Sequence, residues 1–344
     1  MKITVIGAGA IGGVIGAYLC RNGEKVQFID INEEHVKAMR EKGLSISQKD
    51  GSFTTPVEAY TVEELLEKGE KLQTVFLCVK ALHTREAVRK IKDLLDDESY
   101  VVSFQNGLCE YEIAEEIGME RTVGCFINLF ADYLEPGRIE YGGVGSLYIG
   151  EVEGAISPRV EQLVSVLSAW GDAKATDNIV GYLWSKLAYG AILTATATTN
   201  ETIADVFEDP KYFPLVVKIG SEVLEVAGKK AIKPESFDDW QPTIVYPFTS
   251  EAEIKQSFTI LVKRLRGYTK TRTGIWRDIA VRKRKTEVPE QLNPVIKAGE
   301  AFGLQMPLTK KIVEMIEQIE IGERQQTIEN LEELLMISTA INAR

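Results

Sequence analysis

The chain has 344 residues, a formal net charge of −11, and 44% hydrophobic and 26% charged residues. That length supports two domains with substantial cores. The acidic balance argues against nucleic acid as a general partner, and no run of eighteen apolar residues exists to span a membrane. Met1 leads straight into an apolar strand, so no signal or transit peptide is expected. The four cysteines (Cys20, Cys78, Cys109 and Cys125) form no C-x-x-C pair and read as free thiols, which suits the cytoplasm. With only His35 and His83, there is little material for zinc or histidine catalysis, and no metal site is expected.

Residues 2–6 read as a strand buried on both faces, and 7–12 follow as Gly-Ala-Gly-Ala-Ile-Gly, a G-x-G-x-x-G fingerprint. Gly7 allows the tight turn, Gly9 leaves the backbone open to a pyrophosphate, and Gly12 lets the next helix lie close to the sheet. The helix over 11–22 begins at Ala10-Ile11 and turns its N-terminal N–H groups toward phosphate. A second strand over 25–29 ends at Asp30, placed to bind a ribose 2′-hydroxyl and to repel a 2′-phosphate. The cofactor is therefore NAD or NADP, with NAD favoured by Asp30; Lys37 and Arg40 lie near enough to soften that preference.

Further along, helices are expected over 35–42, 62–67, 84–95 and 109–117, and strands over 74–79, 100–104 and 121–126. Two short strands flank Asp50-Gly51, and 138–141 with 146–149 read as a hairpin at the sheet edge. A helix over 159–170 and a strand over 173–176 close this part. Strands alternating with helices predict an α/β fold, a Rossmann-type doubly wound parallel sheet. Beyond residue 178 strand signals fade, and helices are expected over 182–197, 213–228, 250–263, 273–284, 291–302, 308–319 and 326–337. The expected domains are 1–177, which binds the dinucleotide, and an all-helical 178–344. Apolar faces on the last two helices favour a homodimer.

Lys80 and the Asn106-Gly107 turn each follow a central strand, where open α/β sheets place their ligands. Lys186 stands in LWSKLAYGAILTATATTN, a run otherwise nearly all apolar or small. Burial disfavours a lysine's charged form and suits it to proton transfer. Glu287 is a candidate partner. Residues 263–285 carry ten basic residues and a single acid, Asp278, which reads as a solvated face or a positive field over an anionic substrate or cofactor, with nucleic acid a distant third.

The opening IGAGAIGG, VKALHT at 79–84, QNG at 105–107, WSKLA at 184–188, RKTE at 284–287 and GLQMPLT at 303–309 together resemble the ketopantoate reductase family, within the 6-phosphogluconate dehydrogenase-like superfamily. The resemblance implies an NAD(P)H-dependent reductase of a small 2-oxo acid, 2-dehydropantoate by default, with its site between the two domains. It implies Lys186 as general acid and Glu287 as the group that orients it. Asn106 would touch substrate and nicotinamide ribose, and Lys80 would lie over cofactor and substrate. The family's asparagines four and eight residues after the lysine are Gly190 and Thr194 here, and its serine upstream of the glutamate falls near Thr273. Thr194 and Thr273 are the candidate substrate-binding replacements. A pocket altered in this way suits a bulkier, more apolar 2-oxo acid nearly as well. Reduction of an imino acid (opine type) and a non-catalytic NAD(H) sensor are the alternatives.

Overall fold

Four successive residues of β1 (Lys2–Ile6) and of β2 (Lys25–Ile29) are buried, as expected of strands covered on both faces. Between them runs α1 (Ala10–Arg21), which places seven buried residues against the sheet. In this computed structural model, which describes residues 1–143, 145–268 and 270–342, the chain divides into units Met1–Ile179 and Val180–Arg344.

The first unit continues with α2 (Glu33–Lys42), β3 (Leu44–Gln48), β4 (Gly51–Thr55), β5 (Glu58–Tyr60), α3 (Val62–Lys68), β6 (Leu72–Leu77), α4 (Thr84–Ile91) and β7 (Leu95–Ser103). It closes with α5 (Cys109–Ile117), β8 (Thr122–Ile127), β9 (Phe130–Glu135), β10 (Arg138–Gly143), β11 (Leu147–Glu151), α6 (Pro158–Leu167) and β12 (Ala173–Ala175). The main sheet has eight strands in the order β12-β11-β8-β7-β6-β1-β2-β5. From β8 to β5 every neighbour is parallel, whereas β11 runs antiparallel to β8. Strand order reverses between β1 and β6, the switch point at which such sheets bind ligands.

The expected hairpin over 138–141 and 146–149 is not formed. β10 instead joins a separate four-stranded sheet, β4-β3-β10-β9, while β11 lies in the main sheet. The reason is packing: Ile139 and Tyr141 of β10 are buried, and Ile139 lies against α1 where Gly13 leaves room for it. β9, its antiparallel partner, is only half-buried and carried no alternating signal. The helix expected over 84–95 stops at Ile91, and β7 begins at Leu95 rather than Tyr100.

The second unit is helical: α7 (Ile179–Ala197), α8 (Ile203–Glu208), α9 (Phe213–Lys229), α10 (Pro242–Val245), α11 (Glu251–Arg266), α12 (Gly274–Ala280), α13 (Val288–Ala301), α14 (Pro307–Glu320) and α15 (Glu329–Asn342). Short α8 and α10 were not expected, and α12 is shorter than the predicted 273–284. Two distant side chains close α7. Gln326 Nε2 donates to Ala197 O (2.8 Å) and Asn330 Nδ2 to Thr198 O (2.8 Å). At a helix N-terminus, Glu222 of α9 accepts from the Leu308 and Thr309 backbone N–H groups (3.1 and 2.8 Å) and caps α14. Burial pushes the Glu222 carboxyl up, against these hydrogen bonds.

Glu151 ties β11 to α6. Burial alone would raise its carboxyl, but Arg159 (2.8 and 2.6 Å) and Ser157 (2.5 Å) hold it below the ordinary 4.5. A depressed carboxylate adds stability above its unfolded pKa and loses it as pH falls through the folded one. Glu151→Gln should therefore cost about 1–3 kcal/mol at pH 7. Urea denaturation at pH 7 and below 4.5 checks this: the gap to wild type should shrink in acid.

Candidate active site

Gly7 has φ +93°, and a Cβ there would lie 2.9 Å from Val79 N and 3.0 Å from Cys78 C. At Gly12 a Cβ would meet Gly7 O at 2.2 Å, Val5 Cγ1 at 2.8 Å and Cys78 Cβ, just past β6, at 2.9 Å. Close packing against the end of β6 therefore demands glycine at both. Gly9 differs, because no atom lies within 4 Å of its Cβ position. It is the N-cap of α1, with no side chain capping that end. The N–H groups of Ala10, Ile11 and Gly12 precede the first intrahelical bond, Gly13 N to Gly9 O at 2.8 Å. An uncapped helix start beside open space fits a dinucleotide's pyrophosphate.

Asp30 follows β2 and is half-buried. Its Oδ2 accepts from Ala8 N (2.8 Å) and its Oδ1 from Asn32 N (2.9 Å), so the carboxylate is oriented while keeping lone pairs for further donors. Ile31 beside it is 76% exposed. Arg40, which could have met a 2′-phosphate, donates instead to Ala59 O (2.5 Å) and pairs with Glu64. That pairing holds the Glu64 carboxyl below its ordinary value.

Lys80 leads into a short 3-10 turn, Ala81–His83, and Asn106 is exposed in the turn after β7. The two turns are brought together by a residue that sequence reasoning missed. Gln105 Nε2 donates to Val79 O (2.9 Å) and to Thr84 Oγ1 (2.8 Å). Its signal lay inside the QNG turn, read only for Asn and Gly.

In the second unit, Lys186 lies half-buried on α7. Its neighbour Ser185 is fully buried and accepts from Trp240 Nε1 (3.1 Å), which fixes the rotation of the helix. Gly190 and Thr194 follow at one and two turns on the same face. No atom lies within 4 Å of a Cβ at Gly190. Thr194 donates its hydroxyl to Gly190 O (2.7 Å), which leaves it only as an acceptor. Thr273 is the N-cap of α12 and accepts from Trp276 N (3.0 Å). Glu287 immediately precedes α13, and its side chain makes no capping bond there.

Four of the ten cations in the basic stretch are matched by carboxylates within the fold. Arg264 meets Asp238 and Asp239 (3.4 and 2.9 Å), Arg266 meets Asp205 and Glu208 (both 2.7 Å), and Arg282 and Arg284 converge on Asp278 (3.0 and 2.8 Å). Among the described residues no cluster of His, Cys, Asp and Glu is arranged to hold a metal, and no helix is long and apolar enough to cross a membrane.

Residues 3–154 match the ketopantoate reductase PanE/ApbA family model, and 178–320 match its C-terminal domain model. The chain belongs to the ketopantoate reductase family. It is thus an NAD(P)-dependent oxidoreductase by membership. A 2-dehydropantoate 2-reductase of Archaeoglobus fulgidus is 23% identical over 93% of this chain and 98% of its own length. That of Pyrococcus horikoshii is 28% identical over 68% and 75%. Among solved structures, the 2-dehydropantoate 2-reductase of Geobacter metallireducens superposes with TM-score 0.78 at 23% identity, covering 92% of this chain and 99% of that one. A D-mandelate dehydrogenase solved with NADH and anilino(oxo)acetate gives TM-score 0.79 at 21% identity, covering 93% and 98%. Both share the fold of this ketopantoate reductase family member.

The open space at Gly9 sets up a clean separation of binding from folding. Gly9→Ala should leave thermal stability within about 0.5 kcal/mol. The same substitution should raise the NADH dissociation constant about tenfold, measured by fluorescence titration.

Proposed function

We propose that this protein reduces a small 2-oxo acid, ketopantoate by default, with NADH as the preferred coenzyme and Lys186 as the proton donor. The observation that carries the reading is a half-buried lysine on the otherwise apolar α7 of a ketopantoate reductase family member. When bound, the coenzyme supplies the hydride. The carbonyl oxygen then needs a proton and a positive charge, and the Lys186 ammonium provides both. Glu287 orients that lysine and a polar group of the substrate. Gly7, Gly9, Ala10, Ile11 and Gly12 receive the pyrophosphate, Asp30 the adenosine ribose, and Lys80 and Asn106 line the nicotinamide end. The preference for NADH is supported by Asp30 and exposed Ile31, and by an Arg40 already engaged with Glu64. The functional domains are proposed as 1–177 and 178–344. The homodimer and the cytoplasmic location belong to the same reading, supported by exposed Ile321 and Met336 and by four cysteines that form no C-x-x-C pair.

A second reading concerns the substrate. Gly190 presents open space one turn from Lys186, and Thr194 has its hydroxyl hydrogen engaged by the helix. Both favour a 2-oxo acid bulkier and more apolar than ketopantoate.

The test is oxidation of NADH and NADPH with ketopantoate beside branched and aromatic 2-oxo acids. Turnover is expected with NADH, and Lys186→Ala should lower kcat by about 10²–10⁴ with NADH affinity unchanged. Undiminished turnover in that variant refutes the assignment of Lys186. Gly190→Asn should shift preference toward ketopantoate, by about tenfold in the ratio of kcat/KM values, if the open space selects bulk. NADH oxidation that depends on an added amine would move the activity to imino acids. NADH binding with no turnover of any substrate would indicate a sensor.

A further inference from the structure

His35 is 1% exposed, on the first turn of α2, and the mechanism above gives it no task. Its ring nevertheless makes two hydrogen bonds with distant backbone. Gly137 N–H donates to Nδ1 (2.9 Å), and Nε2 lies 2.9 Å from Ala8 O. An N–H group can only donate, so Nδ1 is the acceptor and Nε2 carries the proton that goes to Ala8 O. The ring edge packs on Tyr133, 5.0 Å between centroids. His35 thus bridges the β9–β10 turn, the α2 helix and the middle residue of the first Gly-x-Gly.

Ala8 is held on both sides. Asp30 Oδ2 takes its N–H (2.8 Å), and His35 takes its carbonyl. These groups belong to two successive peptide units, so the backbone of Ala8 is fixed between them. A trans peptide is planar, so fixing Ala8 C=O also fixes the Gly9 N–H, which points the opposite way. Gly9 is the residue at the uncapped start of α1 with open space beside it.

We infer that His35 is a positioning residue for the coenzyme: with Asp30 it pre-sets the Ala8–Gly9 peptide so that the pyrophosphate meets an already ordered loop. Preorganisation of this kind tightens binding by removing an ordering cost from the bound state. It couples the small four-stranded sheet to coenzyme affinity through Gly137. The inference rests on the dinucleotide reading of the glycine turn.

The experiment measures NADH dissociation constants, KM for NADH, kcat and melting temperature for wild type, His35→Phe and His35→Gln. Phenylalanine keeps the ring contact with Tyr133 and loses both hydrogen bonds. Glutamine keeps a neutral donor and acceptor and loses the ring. His35→Phe should raise the dissociation constant and KM for NADH about tenfold, with kcat within twofold. His35→Gln should stay within threefold of wild type in affinity even where its melting temperature falls. An unchanged NADH affinity in His35→Phe, whatever its stability, would overturn the proposal and leave a purely structural histidine. Should His35→Phe fail to fold, His35→Met, which also loses both hydrogen bonds, replaces it: a tenfold loss of NADH affinity with kcat within twofold supports the proposal, and unchanged affinity overturns it. Wild type that binds neither NADH nor NADPH would refute the dinucleotide reading itself, a result distinct from any ratio between variants.

Discussion

The N-terminal unit depends on how closely the glycine turn approaches the end of β6. At Gly7 a single added carbon would fall 2.9 Å from Val79 N, and at Gly12 it would fall 2.2 Å from Gly7 O. This contact places the start of α1 and the turn that carries Lys80 against one another. Gln105 then binds the Lys80 turn to the Asn106 turn through Val79 O and Thr84 Oγ1. Three strand ends are thereby tied into one surface by a backbone contact and a single buried amide. A side chain at Gly7 would disturb the Lys80 turn as directly as the phosphate loop.

Much of this unit was legible because its signals are local. A buried strand, a glycine turn and an acid at the end of the next strand lie within thirty residues, and each needs only its own neighbours to form. The expected hairpin of β10 with β11 fails for the opposite reason. β10 pairs in parallel with β3, more than ninety residues earlier, and nothing in 138–149 distinguishes that partner from an adjacent strand. Thr194 and Thr273 stand between these cases. Their places on α7 and at the start of α12 were legible, but the helix backbone competes for their hydroxyls, at Gly190 O and Trp276 N.

Charge was the least legible property. A stretch with ten basic residues and one acid suggests a field. In the fold Asp238, Asp239, Asp205, Glu208 and Asp278 meet four of those cations from elsewhere or from a turn away. Arg40 shows the same effect on the scale of one residue, since Glu64 from the α3 helix engages it. The sign of a local run says little until its partners in space are known, because Coulomb attraction at such short range outweighs separation in sequence.

The helix that carries Lys186 ends in Thr-Ala-Thr-Ala-Thr-Thr-Asn and has no cation in its last turn. Such an end leaves carbonyl groups without partners and a partial negative charge. Here the Thr196, Thr198 and Thr199 hydroxyls meet Leu193 O, Ala195 O and Thr196 O (2.8, 2.7 and 3.1 Å), and further donors come from other segments. Gln326 and Asn330 donate to Ala197 O and Thr198 O, and Arg272 places two hydrogen bonds on Asn200 O (2.9 and 2.7 Å). Arg272 also lies over the Trp276 ring, 4.8 Å to its centroid, and Trp276 Nε1 donates to Asn200 Oδ1 (3.1 Å). Gln326 and Asn330 lie beyond residue 320, where the match to the family model stops. The end of the helix bearing the proposed acid is thus completed by a segment outside the matched family region.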